Sequence, residues 1–491
     1  MLTLTIFLPL LTGLLVLAVP RTSPDLVRWL SLAGAVLTLI AAIILWTGFD
    51  PSGGNLQWRM TAAWIPAIGA RYDVAVGGIS LALILLTGVL LIVVLVYVLH
   101  GRDRAHAHAF LFLLLATGLI GLFAAQDLLL FYLFFEVGLV PMYFIIGVWG
   151  GERRSYAAMK FFLYTRAGSL AMLLGFLGLY LAMTPHTFSL PAIIAAKPLA
   201  QAPFASALVF FALLIGFGVK LPTVPLHNWL PDAHVEAPTE GSVMLAGLQL
   251  KMGAYGLVAI LLPVLPETVA RFGWLLVALA LVSLVYGALA ALAQSDMKRL
   301  VAYTSINHMA YVLLAVAVAA MANNVAARQL ALNGATVQMV SHGLLTGGMF
   351  LMVGMLQHRA GTRELDRFGG LIGSMPAFSG LFGLLAFGSL GLPGLSGFIA
   401  EFQVIGAALQ LSVWVAVITV VGLIVATGVY LRLLAGVLMG NLPTSVKPLS
   451  PLMAHETWSV IPLAALSLLI GIVPGILVAA VDGTSRILAQ F

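Results

Sequence analysis

Gly218-Val219-Lys220-Leu221-Pro222-Thr223-Val224-Pro225-Leu226-His227-Asn228-Trp229-Leu230-Pro231-Asp232-Ala233-His234-Val235-Glu236-Ala237-Pro238 separates two long apolar runs, 204–221 and 241–264. Pro222 and Pro225 remove backbone donors and crowd the preceding turn, so a helix arriving through Gly218 must stop beside Lys220. An ammonium group at a helix break, with apolar sequence on both sides, fits a membrane interior in which unwound backbone is shielded by protein or water.

The rest of the chain agrees. Its 491 residues are 62% apolar and 8% charged, against roughly 45–50% and about 25% in soluble domains. So few charges cannot coat a soluble surface, and lipid must solvate most of the outside. Apolar runs of about 17–25 residues predict spans at 2–19, 27–49, 79–99, 109–125, 128–149, 157–183, 204–221, 241–264, 272–293, 300–320, 326–358, 378–410, 413–438 and 458–481. This describes an all-α polytopic membrane protein of about fourteen helices in a single membrane domain, residues 1–491. Arg21 follows the first run instead of preceding it, which favours a retained span over a signal peptide. Assigned to alternate sides, Arg21, Arg28, Arg102, Arg104, Arg153, Arg154, Lys160, Lys298, Arg299, Arg359, Arg363, Arg367, Arg432 and Lys447 outnumber Arg59, Arg71, Lys197, Arg271, Arg328 and Arg486. The positive-inside bias then puts both termini outside.

Three runs are irregular. The seventh breaks at Leu221–Pro225, the eleventh is too long for a simple crossing, and the twelfth breaks at Gly391-Leu392-Pro393-Gly394-Leu395-Ser396-Gly397. Broken helices five spans apart are the mark of inverted repeats, so predicted spans 4–8 (109–264) and 9–13 (272–438) read as such a pair.

Ionisable side chains inside apolar runs are expensive and are functional candidates by default. Glu136 lies nine residues past Asp127, about 13 Å deep at 1.5 Å per residue. Lys220 stands at the first break, Lys251 near the middle of the eighth run, His308 in the tenth, His342 at the centre of the eleventh and Glu401 past the second break. A carboxylate beside an ammonium group, and imidazoles that donate through one nitrogen and accept through the other, are groups that pass protons. His227, next to the first break, is a further candidate for proton transfer, whereas Asp232, His234, Glu236 and Glu240 read as a solvated loop. His100, His106 and His108 have the spacing of metal ligands, but Arg102 and Arg104 oppose a cation there, and they are not counted as a site.

With no cysteine, the chain offers no thiolate for zinc or iron–sulfur clusters, so a redox cofactor would rest on its 10 histidines. It has no phosphate loop, dinucleotide turn or paired-histidine zinc motif, and its basic residues are too scattered for a nucleic-acid surface.

The stretch 218–238 resembles the signature of the antiporter-like membrane subunits of respiratory complex I. Asp296-Met297-Lys298-Arg299-Leu300-Val301-Ala302-Tyr303-Thr304-Ser305-Ile306-Asn307-His308-Met309 resembles a second motif of that family, and the fourteen-span layout extends the likeness over nearly the whole chain. In that family the broken twelfth helix carries lysine in the L-type and N-type subunits and glutamate in the M-type, the counterpart of mitochondrial subunit 4. Gly397-Phe398-Ile399-Ala400-Glu401-Phe402 therefore points to the M-type, as does a chain with no room for the lateral helix of the L-type. Two local departures are Gly77-Gly78-Ile79-Ser80, where relatives often carry an acid, and Ala400, where they carry glycine.

By this resemblance Glu136 modulates Lys220, Lys251 is the central lysine, His308 connects, His342 relays and Glu401 releases the proton. The implied function is proton translocation as a subunit of an NADH:quinone oxidoreductase in a bacterial inner membrane, both termini periplasmic. No cofactor is expected in this chain, while NADH, FMN, iron–sulfur clusters and quinone belong to partner subunits. Expected partners are the L-type, N-type and small membrane subunits, with no nucleic acid. The alternatives are a subunit of a multisubunit cation/proton antiporter or of a complex I-related hydrogenase, and, from another class, a b-type cytochrome using His308 and His342 as haem ligands.

Overall fold

A backbone in hydrocarbon must satisfy its polar groups within its own segment, which is why the apolar runs become helices. The computed structural model describes residues 1–52, 54–441 and 449–491; Lys447 of the charge tally lies outside them. In chain order the elements are α1 (Leu2–Ala18), α2 (Pro24–Thr47), β1 (Gln57–Ile65), β2 (Ala70–Val76), α3 (Gly78–Tyr97), α4 (Ala105–Ala124), α5 (Leu128–Trp149), α6 (Arg154–Ala182), α7 (Leu190–Ala196), α8 (Pro203–Lys220) and α9 (Leu230–Glu236). Then come α10 (Thr239–Val264), α11 (Pro266–Arg271), α12 (Gly273–Leu292), α13 (Met297–Met321), α14 (Val325–Ala360), α15 (Leu371–Ser374), α16 (Pro376–Ser389), α17 (Ser396–Leu411), α18 (Val413–Leu438), α19 (Ala454–Ile472) and α20 (Gly475–Leu488).

Among the described residues 12 helices are long and apolar enough to cross a membrane, and Leu2–Ala18, Pro376–Ser389 and Ser396–Leu411 are shorter apolar helices. Every predicted run coincides with at least one helix. The most buried are α10, α13 and α14, which form the centre while α1, α2, α6, α12, α18 and α19 expose large apolar side chains. The eleventh run is one unbroken 36-residue helix, about 54 Å long at 1.5 Å per residue, well beyond a hydrocarbon core of about 30 Å. Its middle buries Asn333, Thr336, Gln338, Ser341, His342 and Thr346.

Both predicted breaks are present, and at the first of them freed backbone groups find partners nearby. After α8 the Leu221 N–H still reaches Phe217 O at 2.8 Å, Thr223 N–H donates to Gly218 O at 2.9 Å, and the Trp229 indole turns back to donate to Val219 O at 2.9 Å. Val224 N–H finds Ser283 Oγ at 2.9 Å. The other break, between α16 and α17, uses left-handed glycines, Gly391 at φ +81° and Gly394 at φ +94°.

The helical membrane fold agrees with the expectation, with one addition and two corrections. β1 and β2 form an antiparallel hairpin inside the 50–78 gap, with Arg59 Nη2 2.7 Å from Asp73 Oδ2. A search for apolar runs passes over a strand whose side chains are mostly exposed. The last run is two helices, since α19 stops at Ile472 and α20 starts after Pro474. The supposed solvated loop 231–240 is mostly buried: α9 and the start of α10 fully cover His234 and Glu240, and only Asp232 and Glu236 keep part of their surface exposed.

Candidate functional site

Asp127 caps α5 by accepting from Leu129 N–H at 3.0 Å and Leu130 N–H at 3.1 Å. Two turns on, Glu136 Oε2 pairs with Arg166 Nη1 of α6 at 2.6 Å, and the same nitrogen lies 3.2 Å from the Tyr132 hydroxyl. The Glu136 and Arg166 side chains are 18% and 40% exposed, while Glu136 Oε1 is buried without a partner. Among the described residues Glu136 makes no ion pair with Lys220.

Lys220, the last residue of α8 and fully buried, instead donates to Gln249 Oε1 of α10 at 2.9 Å. Its ammonium group also faces the rings of Phe161, Phe135 and Trp229, at 5.0, 5.7 and 5.9 Å from their centres.

α10 is not uniform. It winds as a π-helix over Leu245–Gln249 and Leu257–Leu261, and Lys251 lies between these segments. The wider turn releases a carbonyl from the α-helical ladder, and Lys251 Nζ takes Ala246 O at 2.6 Å and His342 Nδ1 of α14 at 2.7 Å. From His342 the row continues to His308, ring centres 5.9 Å apart, and from His308 Nδ1 to Glu401 Oε1 of α17 at 3.5 Å. Tyr430 of α18 closes this end, its hydroxyl 3.0 Å from Thr304 Oγ1 and 3.4 Å from His308 Nε2. A cavity of about 10 Å³ lies between His342, His308 and Glu401 and is also lined by Gln338, Ser341 and Ser389.

Lys251, His342, His308 and Glu401 thus form one connected cluster, with Lys220 joined to the same helix through Gln249. His227 stands apart, its ring edge-on to Tyr286 at 5.1 Å. Glu401 does not hold the place in its half that Lys220 holds in the other: Lys220 ends the half-helix before its break, and Glu401 lies inside the half-helix after its own.

Several residues were overlooked. Arg166 sits inside run 157–183, where the rule that singled out the lysines applies to it, whereas Gln249, two residues before Lys251, is not ionisable and that rule passes over it. Gly391 was read only as a break, yet a Cβ there would lie 2.4 Å from Glu401 Oε2. Nothing local marks Glu240, which accepts from Arg102 Nη2 at 2.7 Å and meets His108 Nε2 at 3.0 Å. His234 stacks on Phe350 at 4.4 Å with neither ring nitrogen partnered by protein.

Residues 125–427 match the family described as NADH:quinone oxidoreductase/Mrp antiporter, TM. A Rhodobacter capsulatus protein named NADH-quinone oxidoreductase subunit M is 38% identical over 493 residues, covering 97% of this chain and 94% of its own. A chain of respiratory complex I from Thermus thermophilus with bound NADH has a TM-score of 0.89 at 30% identity, covering 100% of this chain and 99% of that one. A chain of the Mrp complex from Dietzia has a TM-score of 0.83 at 21% identity, over 99% and 96%, a likeness of fold. On the strength of the family match and the near full-length relative, the chain belongs to the NADH:quinone oxidoreductase/Mrp antiporter family of membrane proteins.

Proposed function

We propose that the chain is the M-type proton-translocating membrane subunit of an NADH:quinone oxidoreductase, driven by redox chemistry in partner subunits that hold NADH, FMN, iron–sulfur clusters and quinone. The observation that carries this is the buried lysine–imidazole contact of 2.7 Å between Lys251 and His342, continued through His308 to Glu401. A neutral imidazole accepts from an ammonium group and passes a proton on from its other nitrogen. His342 Nε2 and Glu401 Oε2 have no protein partner, and both residues line the small cavity, close to the least volume that admits one bridging water.

In the cycle, a change of charge near Glu136 and Arg166 alters the hold on Lys220. Its proton passes to Lys251, on through the two imidazoles, and out from Glu401. Moving one charge against about 150–200 mV takes roughly 3.5–4.6 kcal/mol, comparable to a few pKa units at about 1.4 kcal/mol each. His227 has weaker support as a proton carrier because it lies apart from this cluster.

The two inverted repeats, 109–264 and 272–438, belong to the same reading. They are supported by parallel packing, α4 on α5 and α6 on α8 in one half, α12 on α13 and α14 on α17 in the other. So do periplasmic termini in a bacterial inner membrane, and neighbouring L-type, N-type and small membrane subunits in a lipid bilayer.

The test is proton pumping, followed with a pH-sensitive dye in inverted vesicles, by a complex carrying Lys251→Ala. Assembly with pumping lost is the expected result; full NADH-driven pumping would remove the central lysine and this reading. Sodium-dependent exchange without NADH would favour the antiporter alternative.

A further inference from the structure

We infer that Gln249 is a positioning residue for Lys220: its amide, with three aromatic rings, forms a seat for the ammonium group that competes with the Glu136 carboxylate. The inference rests on the proton-translocating reading above and adds a residue to it. Lys220 Nζ donates to Gln249 Oε1 at 2.9 Å, and Gln249 Nε2 donates to Gly138 O of α5 at 2.7 Å. The second bond clamps the amide so that its oxygen, not its nitrogen, faces the lysine. Phe161, Phe135 and Trp229 stand within 6 Å of the ammonium group, inside the range over which a ring face attracts a cation. Gln249 and all three rings are buried.

The other seat is half filled. Arg166 holds Glu136 Oε2, and Oε1 is buried without a donor. A buried carboxylate oxygen lacking a donor is costly, and so is an ammonium group with one oxygen acceptor for three protons. Moving Lys220 from Gln249 to Glu136 relieves both, at the loss of the amide bond and the ring contacts. The move exchanges one hydrogen bond for another and transfers no atom. Because Gln249 is neutral, it holds the ammonium group without becoming a competing proton acceptor. Gln249 also ends the π-wound turn Leu245–Gln249 that presents Ala246 O to Lys251, so a change in that turn acts on both lysines together.

The experiment uses the assembled complex with Gln249→Leu, which keeps bulk and removes both amide bonds. A hydrogen bond to a charged group biases two seats by about tenfold or more. Electron cryomicroscopy of the variant should therefore find Lys220 within hydrogen-bonding distance of Glu136, and the protons pumped per NADH oxidised should fall several-fold. Should Gln249→Leu fail to assemble, Gln249→Asn takes its place, since the shorter amide cannot reach Gly138 O and Lys220 together and should give the same relocation. Lys220 still among the three rings, with pumping unchanged, would overturn the inference. If Lys220→Ala also pumps normally, the proton-translocating reading falls with it. If Lys220→Ala is inactive while Gln249→Leu changes neither seat nor pumping, the role of Gln249 alone is lost.

Discussion

The two broken helices interrupt the chain by different chemistry, and each break suits the charge beside it. In the first, prolines end α8 and the freed carbonyls are taken up locally, that of Val219 by the Trp229 indole. Lys220, as the final residue, sits at the negative end of the helix dipole, where a cation is favoured. In the second, Gly391 and Gly394 adopt left-handed conformations that other residues rarely take, and Glu401 lies in the second turn from the positive end of α17. The proline break holds a cation among neutral partners. The glycine break clears space for a carboxylate, since Gly391 leaves room for Glu401 Oε2 that a Cβ would fill. Each break leaves a helix end within the interior, the C-terminus of α8 at Lys220 and the N-terminus of α17 two turns or less from Glu401.

The largest effect is expected at the first break. Lys220→Ala or Glu136→Gln should leave the complex assembled on a native gel while NADH-driven quinone reduction and proton pumping fall together, by tenfold or more. Each variant removes a charge on which this end of the row depends. Full coupled activity in either would make that side chain structural.

The second break should show a graded response. Glu401→Asp keeps a titratable acid, Glu401→Lys keeps a titratable group of opposite charge, and Glu401→Gln cannot be protonated. The expected order of dye-reported pumping is wild type, Asp, Lys, Gln. A structural clamp would reverse the order of damage between Asp and Gln, because Gln preserves hydrogen bonding and Asp loses reach.

A finer test lies within the glycine break. Gly391→Ala meets Glu401 Oε2 at 2.4 Å with φ +81°, whereas at Gly394, φ +94°, a Cβ meets nothing within 4 Å. Both should lose about 1–2 kcal/mol from the backbone, read as a lowered melting temperature of the complex, but Gly391→Ala alone should also cut pumping several-fold. Equal pumping in the two variants would mean that Gly391 serves the turn and not the acid.

The smallest change is expected from Trp229→Phe. It keeps an aromatic face for Lys220 and loses the indole donor to Val219 O, about 0.5–1.5 kcal/mol of stability, with pumping nearly intact. A loss as large as that of Lys220→Ala would transfer the importance of this break from the lysine to the backbone bond.

Reading the chain residue by residue reached most of the cluster because a charge in an apolar run is conspicuous whatever surrounds it. Glu136, Lys220, Lys251, His308, His342 and Glu401 were all found by that contrast alone. It failed where polarity is ordinary. Asp232, His234, Glu236 and Glu240 look like any surface loop, and only the packing of α9 on α6 and α13 and of α10 on α14 buries His234 and Glu240; a Cβ at Gly354 would touch Thr239 Oγ1 at 2.2 Å. It failed also at the hairpin 57–76, whose alternation is too weak to stand out beside runs of eighteen apolar residues.

What the sequence by itself determined was the solvent, the helices, the places of the two breaks and most of the ionisable groups within the apolar runs, because hydrophobicity, proline and glycine act over a few residues at a time. Partnership was decided by the tertiary structure. Glu136 pairs with Arg166, 30 positions away, and Lys220 with Gln249, 29 positions away, instead of with each other. Lys251 meets His342 across 91 positions and His308 meets Glu401 across 93. Such contacts depend on how α5, α6, α8, α10, α13, α14 and α17 pack. A hydrogen bond is made or lost within less than an ångström, a distance that no pattern along the chain encodes.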